Sequence, residues 1–319
     1  MKKLAGLLAD LPGILLVCLF IYVALAAPWL APESNILPRS SPGEPYRSQL
    51  SFKIGGPPQP PDANAVLGTN SRQDDVYYTL VWDTRNMLVS SLIVVLVSAS
   101  LGMVVGLASG YAGGLTSRLS MHITNGFLAV PLITIFVIID LIKRIAWKRL
   151  VGADYPPNPY AEVQAGSLVT FLFSFDSLMV ALMLTNWIPY ARLLNALVTL
   201  VKSREFIEAA RCIGAKDGRI IFRHILPNIL PPVLVLAGRD IGTIVLLQTG
   251  LTFAGFGGNS AWGSLLRQGM SWILSGTSFF SYWWVWLPAT LMIMFYGVSW
   301  NLLAETFNRR LDPRRYGRL

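Results

Sequence analysis

The chain has 319 residues, of which 53% are hydrophobic and 13% are charged, and its formal net charge at pH 7 is +9. A soluble globular domain carries roughly a quarter of its residues as charges, so this composition excludes an ordinary soluble domain and favours a membrane protein. The cations lie in short segments between apolar runs, which favours orientation in a lipid bilayer and argues against a nucleic-acid partner.

Six apolar runs are long enough to cross a hydrocarbon core about 30 Å thick, which needs around 20 residues of helix. We therefore predict an all-α membrane protein with six transmembrane helices. The predicted spans are residues 11–30, 86–117, 119–142, 176–201, 231–255 and 283–303.

The first run follows Lys2 and Lys3, a pattern shared by a cleavable signal peptide and a retained first helix. We favour retention and assign residues 1–30 to an N-terminal transmembrane helix. Residues 31–85 are polar and rich in proline, which predicts an extended loop outside the cytoplasm.

Residues 86–305 are predicted to form the transmembrane core. Gly102, Gly106 and Gly110 recur every four residues, a spacing that lets another helix approach closely, although the general tolerance of glycine in membrane helices explains it almost as well. Pro131 predicts a kink in the third span. Residues 143–175 form an insert whose cations surround Trp147, which predicts a helix at the membrane interface.

The distribution of cations predicts that both termini are cytoplasmic. Six cations lie between Lys202 and Arg223, and five more lie in a predicted cytoplasmic tail at residues 306–319. Four cations from Lys143 to Arg149 contradict this rule locally, and we interpret them as interfacial.

Residues 204–227 lie between the fourth and fifth spans and have the pattern of two short helices joined by a turn. Small Ala209 and Ala210 would let the first helix enter a groove on a partner, and Gly214 suits the left-handed residue that ends a helix. Glu208 offers a carboxylate to a basic partner, and Pro227 limits the continuation of the chain.

This segment resembles the EAA loop of ABC importer permeases, which docks into ATPase subunits. The other interpretation is an ordinary charged loop between membrane helices, but seven positions match the EAA motif at its spacing. The resemblance implies a coupling role for these residues: Glu205, Glu208, Ala209, Ala210, Gly214, Ala215, Asp217, Ile225, Leu226 and Pro227.

Further motifs resemble the dipeptide, oligopeptide and nickel permeases, in particular the subunit type that ends in Leu-Asp-Pro-Arg. They include Leu67-Gly68-Thr69, Tyr190-Ala191-Arg192, Trp262-Gly263 and Leu311-Asp312-Pro313-Arg314. The chain departs from that family at Asn70, where aspartate is usual, at Gln73-Asp74, where Gly-Arg is usual, and at Gln248, where glutamate is usual. The departures leave the substrate open among peptides, nickel chelates and oligosaccharides.

The resemblance implies a type I ABC importer transmembrane domain in the bacterial inner membrane. Its implied partners are a homologous second permease, two ABC ATPases and an extracytoplasmic substrate-binding protein. The chain lacks a phosphate-binding loop of the GxxxxGK[ST] kind, so it predicts no enzyme activity, no catalytic residues and no cofactor of its own. ATP and Mg²⁺ would be bound by the ATPases. The two cysteines and two histidines give little support for a disulfide or a metal site.

Arg239 and Asp240 lie well inside the fifth span, where ionisable groups usually face a pore or a partner. With Gln248 they are candidates for the translocation path, and a structural role for the charged pair is equally compatible with the sequence. An ion-coupled secondary transporter is the alternative function. It would carry an inverted repeat and broken midplane helices, and the sequence indicates neither.

Overall fold

A computed structural model describes residues 2–32, 57–63, 65–152, 173, 175–275 and 280–311. These residues form α-helices joined by short connections, and within them the extended pairing is limited to one bridge between Thr69 and Asp75. The helices are α1 (Lys2–Leu30), α2 (Val76–Ala112), α3 (Gly114–Leu128), α4 (Leu132–Val151), α5 (Ser177–Thr185), α6 (Trp187–Lys202), α7 (Glu205–Cys212), α8 (Asp217–Ile220), a π-helical turn (Ile221–Ile225), α9 (Leu226–Phe253), α10 (Ala261–Leu274) and α11 (Trp283–Leu311).

Five helical stretches of the described chain are long and apolar enough to cross a membrane, and a bent helix pair makes a sixth if it is counted as one span. The pair consists of α3 and α4, which meet at an angle of 79°. Pro131 precedes α4 in an extended conformation, so the break lies at the proline that predicted a kink. The prediction of an all-α membrane fold is confirmed.

The start of α2 and the end of α4 are among the element boundaries that differ from the sequence-based expectations. Helix α2 begins at Val76 rather than at residue 86, because the Asp75 side chain accepts a hydrogen bond from the Tyr78 backbone N–H and caps the helix. The charged residues that suggested a loop therefore lie within a helix. Helix α4 continues past Arg149 to Val151 and ends at Gly152 with φ of 74°. The remainder of the predicted insert, except residues 173 and 175, lies outside the described residues.

Helix α1 is an integral part of the bundle. Its Phe20 ring packs edge-on against Tyr296 of α11, with ring centroids 5.1 Å apart. At one end the Asp10 carboxylate forms ion pairs of 3.0 Å with both Arg309 and Arg310. At the other end the Trp82 indole N–H donates to the Ala31 carbonyl over 2.9 Å. The first helix is thus fixed to α11 near its N-terminal end and to α2 at its C-terminal end.

The closest helix contact lies between α2 and α6, along the glycine stripe. A β-carbon at Gly102 would lie 2.4 Å from the Tyr190 β-carbon, and one at Gly106 would lie 2.6 Å from the Leu194 β-carbon. These separations are far below van der Waals contact, so only glycine allows the two backbones to lie this close. The predicted role of the stripe in close approach agrees with the observed packing.

We predict that Gly106→Val destabilises the protein by about 1–3 kcal/mol, the usual cost of overpacking, because the added side chain would force α2 away from α6. The measurement is thermal unfolding of the purified protein in detergent. The matched control is Gly250→Val, since a β-carbon at that membrane position meets no atom within 4 Å. Equal unfolding temperatures for the two variants would contradict this account of the α2–α6 contact.

Candidate functional site

Helix α7 is the short amphipathic helix that the sequence predicted between the fourth and fifth spans. It ends in a Schellman motif, in which the Ala215 N–H donates to the Ala210 carbonyl over 3.0 Å and the Gly214 N–H donates to the Arg211 carbonyl over 2.9 Å. Gly214 has φ of 80°, as its helix-ending role requires. The chain therefore reverses sharply and leads into α8.

One face of this segment is anchored inside the protein. Ile207, Ile220 and Ile225 are fully buried in a cluster with Tyr190, Leu194 and Val198 of α6. Ala210 is also buried, so it packs within this chain and does not present itself to a partner. Of the two alanines expected to let the helix enter a partner's groove, Ala209 is therefore the accessible one.

The opposite face of the segment is exposed. Glu205, Glu208 and Ala209 are accessible, as are Gly214, Asp217 and Pro227. Three large apolar side chains that the sequence argument did not select are also accessible: Phe206 at 46%, Ile213 at 86% and Phe222 at 71%. Their occurrence as apolar residues in an otherwise polar segment was the sequence signal that could have identified them. An exposed apolar surface of this kind is typical of a protein interaction site.

Polar contacts join this segment to the end of α2. The Tyr111 hydroxyl donates to an Asp217 carboxylate oxygen, and the Lys202 ammonium group donates to the Tyr111 carbonyl. The Asn195 amide of α6 donates to Ser109 over 2.8 Å and to Ser117 over 2.9 Å. The predicted site residue Asp217 is therefore tied directly to the second helix.

The three translocation-path candidates lie in separate environments. Gln248 is buried beside a cavity and accepts a hydrogen bond of 3.2 Å from the Ser90 hydroxyl. Asp240 accepts a hydrogen bond of 3.2 Å from the Asn186 amide and lies against α6. Arg239 is exposed and lines a different groove together with Glu305. The structure thus does not bring the three together, and Arg239 and Asp240 do not pair.

The cavity beside Gln248 has a volume of about 620 Å³ and lies between α2, α5 and the C-terminal part of α9. Arg85 and Asp176 bring opposite charges to its wall, and Phe175 and Met179 contribute apolar surface. The further lining residues are Trp82, Asn86, Met87, Val89, Ser90, Ile93, Asn259 and Ser260. A volume of this size suits a small solute.

The two charged groups of the cavity lie in different surroundings. The guanidinium carbon of Arg85 lies 5.6 Å from the centroid of the Trp82 ring, which supports it from one side. Burial raises the pKa of the Asp176 carboxyl above its ordinary value, and the positive charge of Lys143 opposes that rise. In the sequence, Arg85 is the last residue of the predicted loop at residues 31–85, and Asp176 is the first residue of the fourth predicted span.

A buried carboxylate supports one rim of the cavity. Asp83 is 1% exposed, and one of its oxygens accepts hydrogen bonds from the Trp262 backbone N–H at 2.8 Å and from the Ser260 hydroxyl at 3.4 Å. These donors lie at the first turn of α10, where a negative charge is stabilised by the helix dipole. Asp83 therefore fixes the start of α10 against α2.

Within the described part of the chain, no group of three His, Cys, Asp or Glu side chains has the geometry to hold a metal ion. The two cysteines in that part are free, and both are exposed.

Comparisons with known proteins agree on one family. The model of the family described as "Binding-protein-dependent transport system inner membrane component" matches residues 102–315, which is more than half of the chain.

Curated relatives extend the match over almost the whole chain. The chain is 25% identical to a putative peptide transport system permease protein of Brucella suis, with 95% of this chain and 86% of the relative covered. It is 28% identical to a dipeptide transport system permease protein of Alkalihalophilus pseudofirmus, with 95% and 84% covered. It is 25% identical to a nickel transport system permease protein of Escherichia coli, with 94% and 92% covered. A chain of the MetNI methionine ABC transporter, solved in inward-facing conformations, superposes with a TM-score of 0.46 at 20% identity, covering 71% of this chain and 95% of that chain.

We predict that Asp83→Ala lowers the stability of the purified protein by about 1–3 kcal/mol, because the Trp262 N–H loses its acceptor inside the bundle. Asp83→Asn retains a carbonyl acceptor, so its loss should be smaller. Thermal unfolding in detergent measures both, and Glu305→Ala serves as the control because that carboxylate is exposed. The predicted role of Asp83 is contradicted if Asp83→Ala unfolds at the temperature of the control.

Proposed function

This chain belongs to the family of binding-protein-dependent transport system inner membrane components, and we propose that its cargo is short peptides or closely related small solutes. The chain is a permease subunit of an ABC importer, a multi-pass inner-membrane protein without ATPase activity of its own. Peptide transport systems named among the relatives support the choice of cargo. A nickel permease among them makes a nickel chelate the competing cargo.

The family implies ATPase and binding-protein partners. In the proposed assembly, this subunit pairs with one homologous but distinct permease, and two ATPase subunits bind ATP and Mg²⁺ on the cytoplasmic side. A substrate-binding protein delivers the cargo from the other side. The ion-coupled alternative would need neither ATPases nor a binding protein.

The exposed face of α7 supports a docking role for this segment. Glu208 and Ala209 lie on that face, next to the exposed apolar side chains of Phe206 and Ile213. A small residue between larger neighbours lets a helix seat closely in a groove, and exposed apolar side chains supply the area that an interface buries. We assign the ATPase contact to this face.

The buried side of the same segment supports a mechanical role. Ile207 and Ile225 are embedded in the cluster that holds α6, and Asp217 is bonded to Tyr111 at the end of α2. Because α2 and α6 pack backbone to backbone through glycine, a displacement of α7 moves both helices as one body. Helix α2 then carries the displacement to the cavity lined by Arg85 and Ser90.

Both termini are assigned to the cytoplasm, and the loop at residues 57–75 to the outside. The cations beside α7 support this orientation, since short cytoplasmic segments are enriched in lysine and arginine. It places the docking face with the ATPases and the cavity near the surface that faces the binding protein.

We predict opposite accessibility for two cysteines that test this orientation. In a Cys18→Ser background, Ala63→Cys should react with a membrane-impermeant maleimide in intact spheroplasts, and native Cys212 should react only after lysis. Both positions are exposed, so a difference in labelling reports the side of the membrane and not burial. Adding Cys212→Ser provides the control for background labelling. Labelling of Cys212 in intact spheroplasts would contradict the assigned orientation.

We predict that Ala209→Trp lowers binding-protein-stimulated ATP hydrolysis by at least about tenfold, or about 1.4 kcal/mol, because an indole ring does not fit a groove shaped for a methyl group. The measurement uses the reconstituted complex, with recovery of the ATPase subunits during purification as a second readout.

Two variants control for this experiment. Thr116→Trp places the same ring on an exposed position of α3 and should leave hydrolysis unchanged. Ala210→Trp should reduce the yield of folded protein, since Ala210 is 6% exposed and packs inside the chain. Normal ATPase recovery and stimulated hydrolysis with Ala209→Trp would show that α7 is not the docking helix.

A further inference from the structure

The cavity between α2, α5 and α9 has a composition that lipid contact does not explain. Charged and amide groups on apolar helices are costly against acyl chains, and they usually face a protein partner or a water-filled path. Arg85, Asn86, Ser90 and Gln248 all lie within membrane-spanning helices and all line this cavity. The cavity is therefore a polar site lined by membrane-spanning helices.

The two charges of the cavity have opposite sign and are separate. No ion pair joins Arg85 to Asp176 in the described structure. Arg85 is exposed to the cavity above the Trp82 ring. Asp176 lies directly before the first turn of α5, and its carboxyl group interacts electrostatically with Lys143. A solute that carries one positive and one negative group would satisfy both ends of this wall.

The neutral groups between the charges add hydrogen bonds. The Gln248 oxygen accepts from the Ser90 hydroxyl, so its amide N–H groups are the part of that side chain available to a solute carbonyl. Ile93 and Met179 supply apolar surface beside them. A polar backbone flanked by small apolar side chains is the chemistry of a short peptide.

We infer that this cavity is a solute-binding site within the permease itself, which takes a small zwitterion such as a dipeptide, with Arg85 binding its carboxylate and Asp176 its ammonium group. The inference rests on the proposed peptide cargo and goes beyond it by placing charge recognition in the membrane subunit. Recognition would then occur twice, once in the binding protein and again at the mouth of the path.

The test measures binding without the binding protein. The complete complex of both permeases and both ATPases is placed in nanodiscs, and equilibrium dialysis is performed with three radiolabelled probes. They are dialanine, dialanine amide, which lacks the carboxylate, and N-acetyl-dialanine, which lacks the ammonium group. The native complex should bind dialanine saturably and bind each modified probe at least about tenfold more weakly, as the loss of one charged hydrogen bond implies.

Each charge variant should lose one form of discrimination. Arg85→Gln should bind dialanine and its amide equally while still rejecting the N-acetyl form, and Asp176→Asn should show the reverse. Arg85→Lys should restore part of the preference for the carboxylate. Arg72→Gln is the control, because Arg72 is an exposed arginine outside the cavity. Ratios between probes are independent of the yield of folded protein, so a purely structural role would not produce this pattern.

Several outcomes overturn the site. They are equal binding of all three probes by the native complex, no saturable binding, or unchanged discrimination in Arg85→Gln. ATP-dependent uptake of dialanine, measured in parallel with the binding protein present, tests the proposed function separately. Uptake without probe binding would contradict the proposed site but not the proposed peptide import. Probe binding without ATP-dependent uptake would contradict peptide import but not the site.

Discussion

The backbone contact between α2 and α6 is the constraint on which the rest of this structure depends. Gly102, Gly106 and Gly110 of α2 bring it so close to α6 that a single methyl group at any of them would overlap its neighbour. Dispersion contacts are short-ranged, so a pair packed this closely resists shear and separation. The two helices form one body that extends from the α7 segment at one end to the polar cavity at the other.

Charges are distributed around this body according to function. Where charges serve the fold they are satisfied within the chain: Asp10 pairs with two arginines of α11, and Asp140 bonds Arg144 and Ser177. Arg85 and Asp176 line the cavity wall without pairing with each other, and Glu208 lies on the exposed face of α7. Ionisable groups inside a membrane usually face a pore, a water-filled cavity or a partner, which is why the proposed solute site is placed at the cavity wall.

Hydropathy and motif spacing predicted the spans, the kink at Pro131, the glycine contact and the helix-ending Gly214, because each depends on local chemistry. The start of α2 was missed, since Asp83 and Arg85 resemble loop residues until α10 supplies the partner for one and the cavity accommodates the other. The burial of Ala210 beside an exposed Ala209 was not predictable, because two adjacent alanines look alike in sequence and only the fold decides which of them is buried. The grouping of Gln248 with Arg85 and Asp176 depends on three helix ends meeting, and spacing along the chain carries no information about that.

The departures of this chain from its family pattern lie on the cavity side, and local bonds offset their cost. Gln73 has φ of 65°, a conformation that glycine adopts more easily, but its side chain accepts from Thr69 at 3.3 Å and donates to the Pro57 carbonyl at 3.2 Å. Asn70 accepts from two backbone N–H groups of the same loop. Ser71 then bonds to α10 through Gln268 and Trp272. The loop, α10 and Asp83 thus form one fixed rim that is bonded independently of the α7 segment. The rim and the α7 segment are connected through α2, which packs on α6, and through α9, which runs from Leu226 to Phe253 and carries Gln248 in the cavity wall.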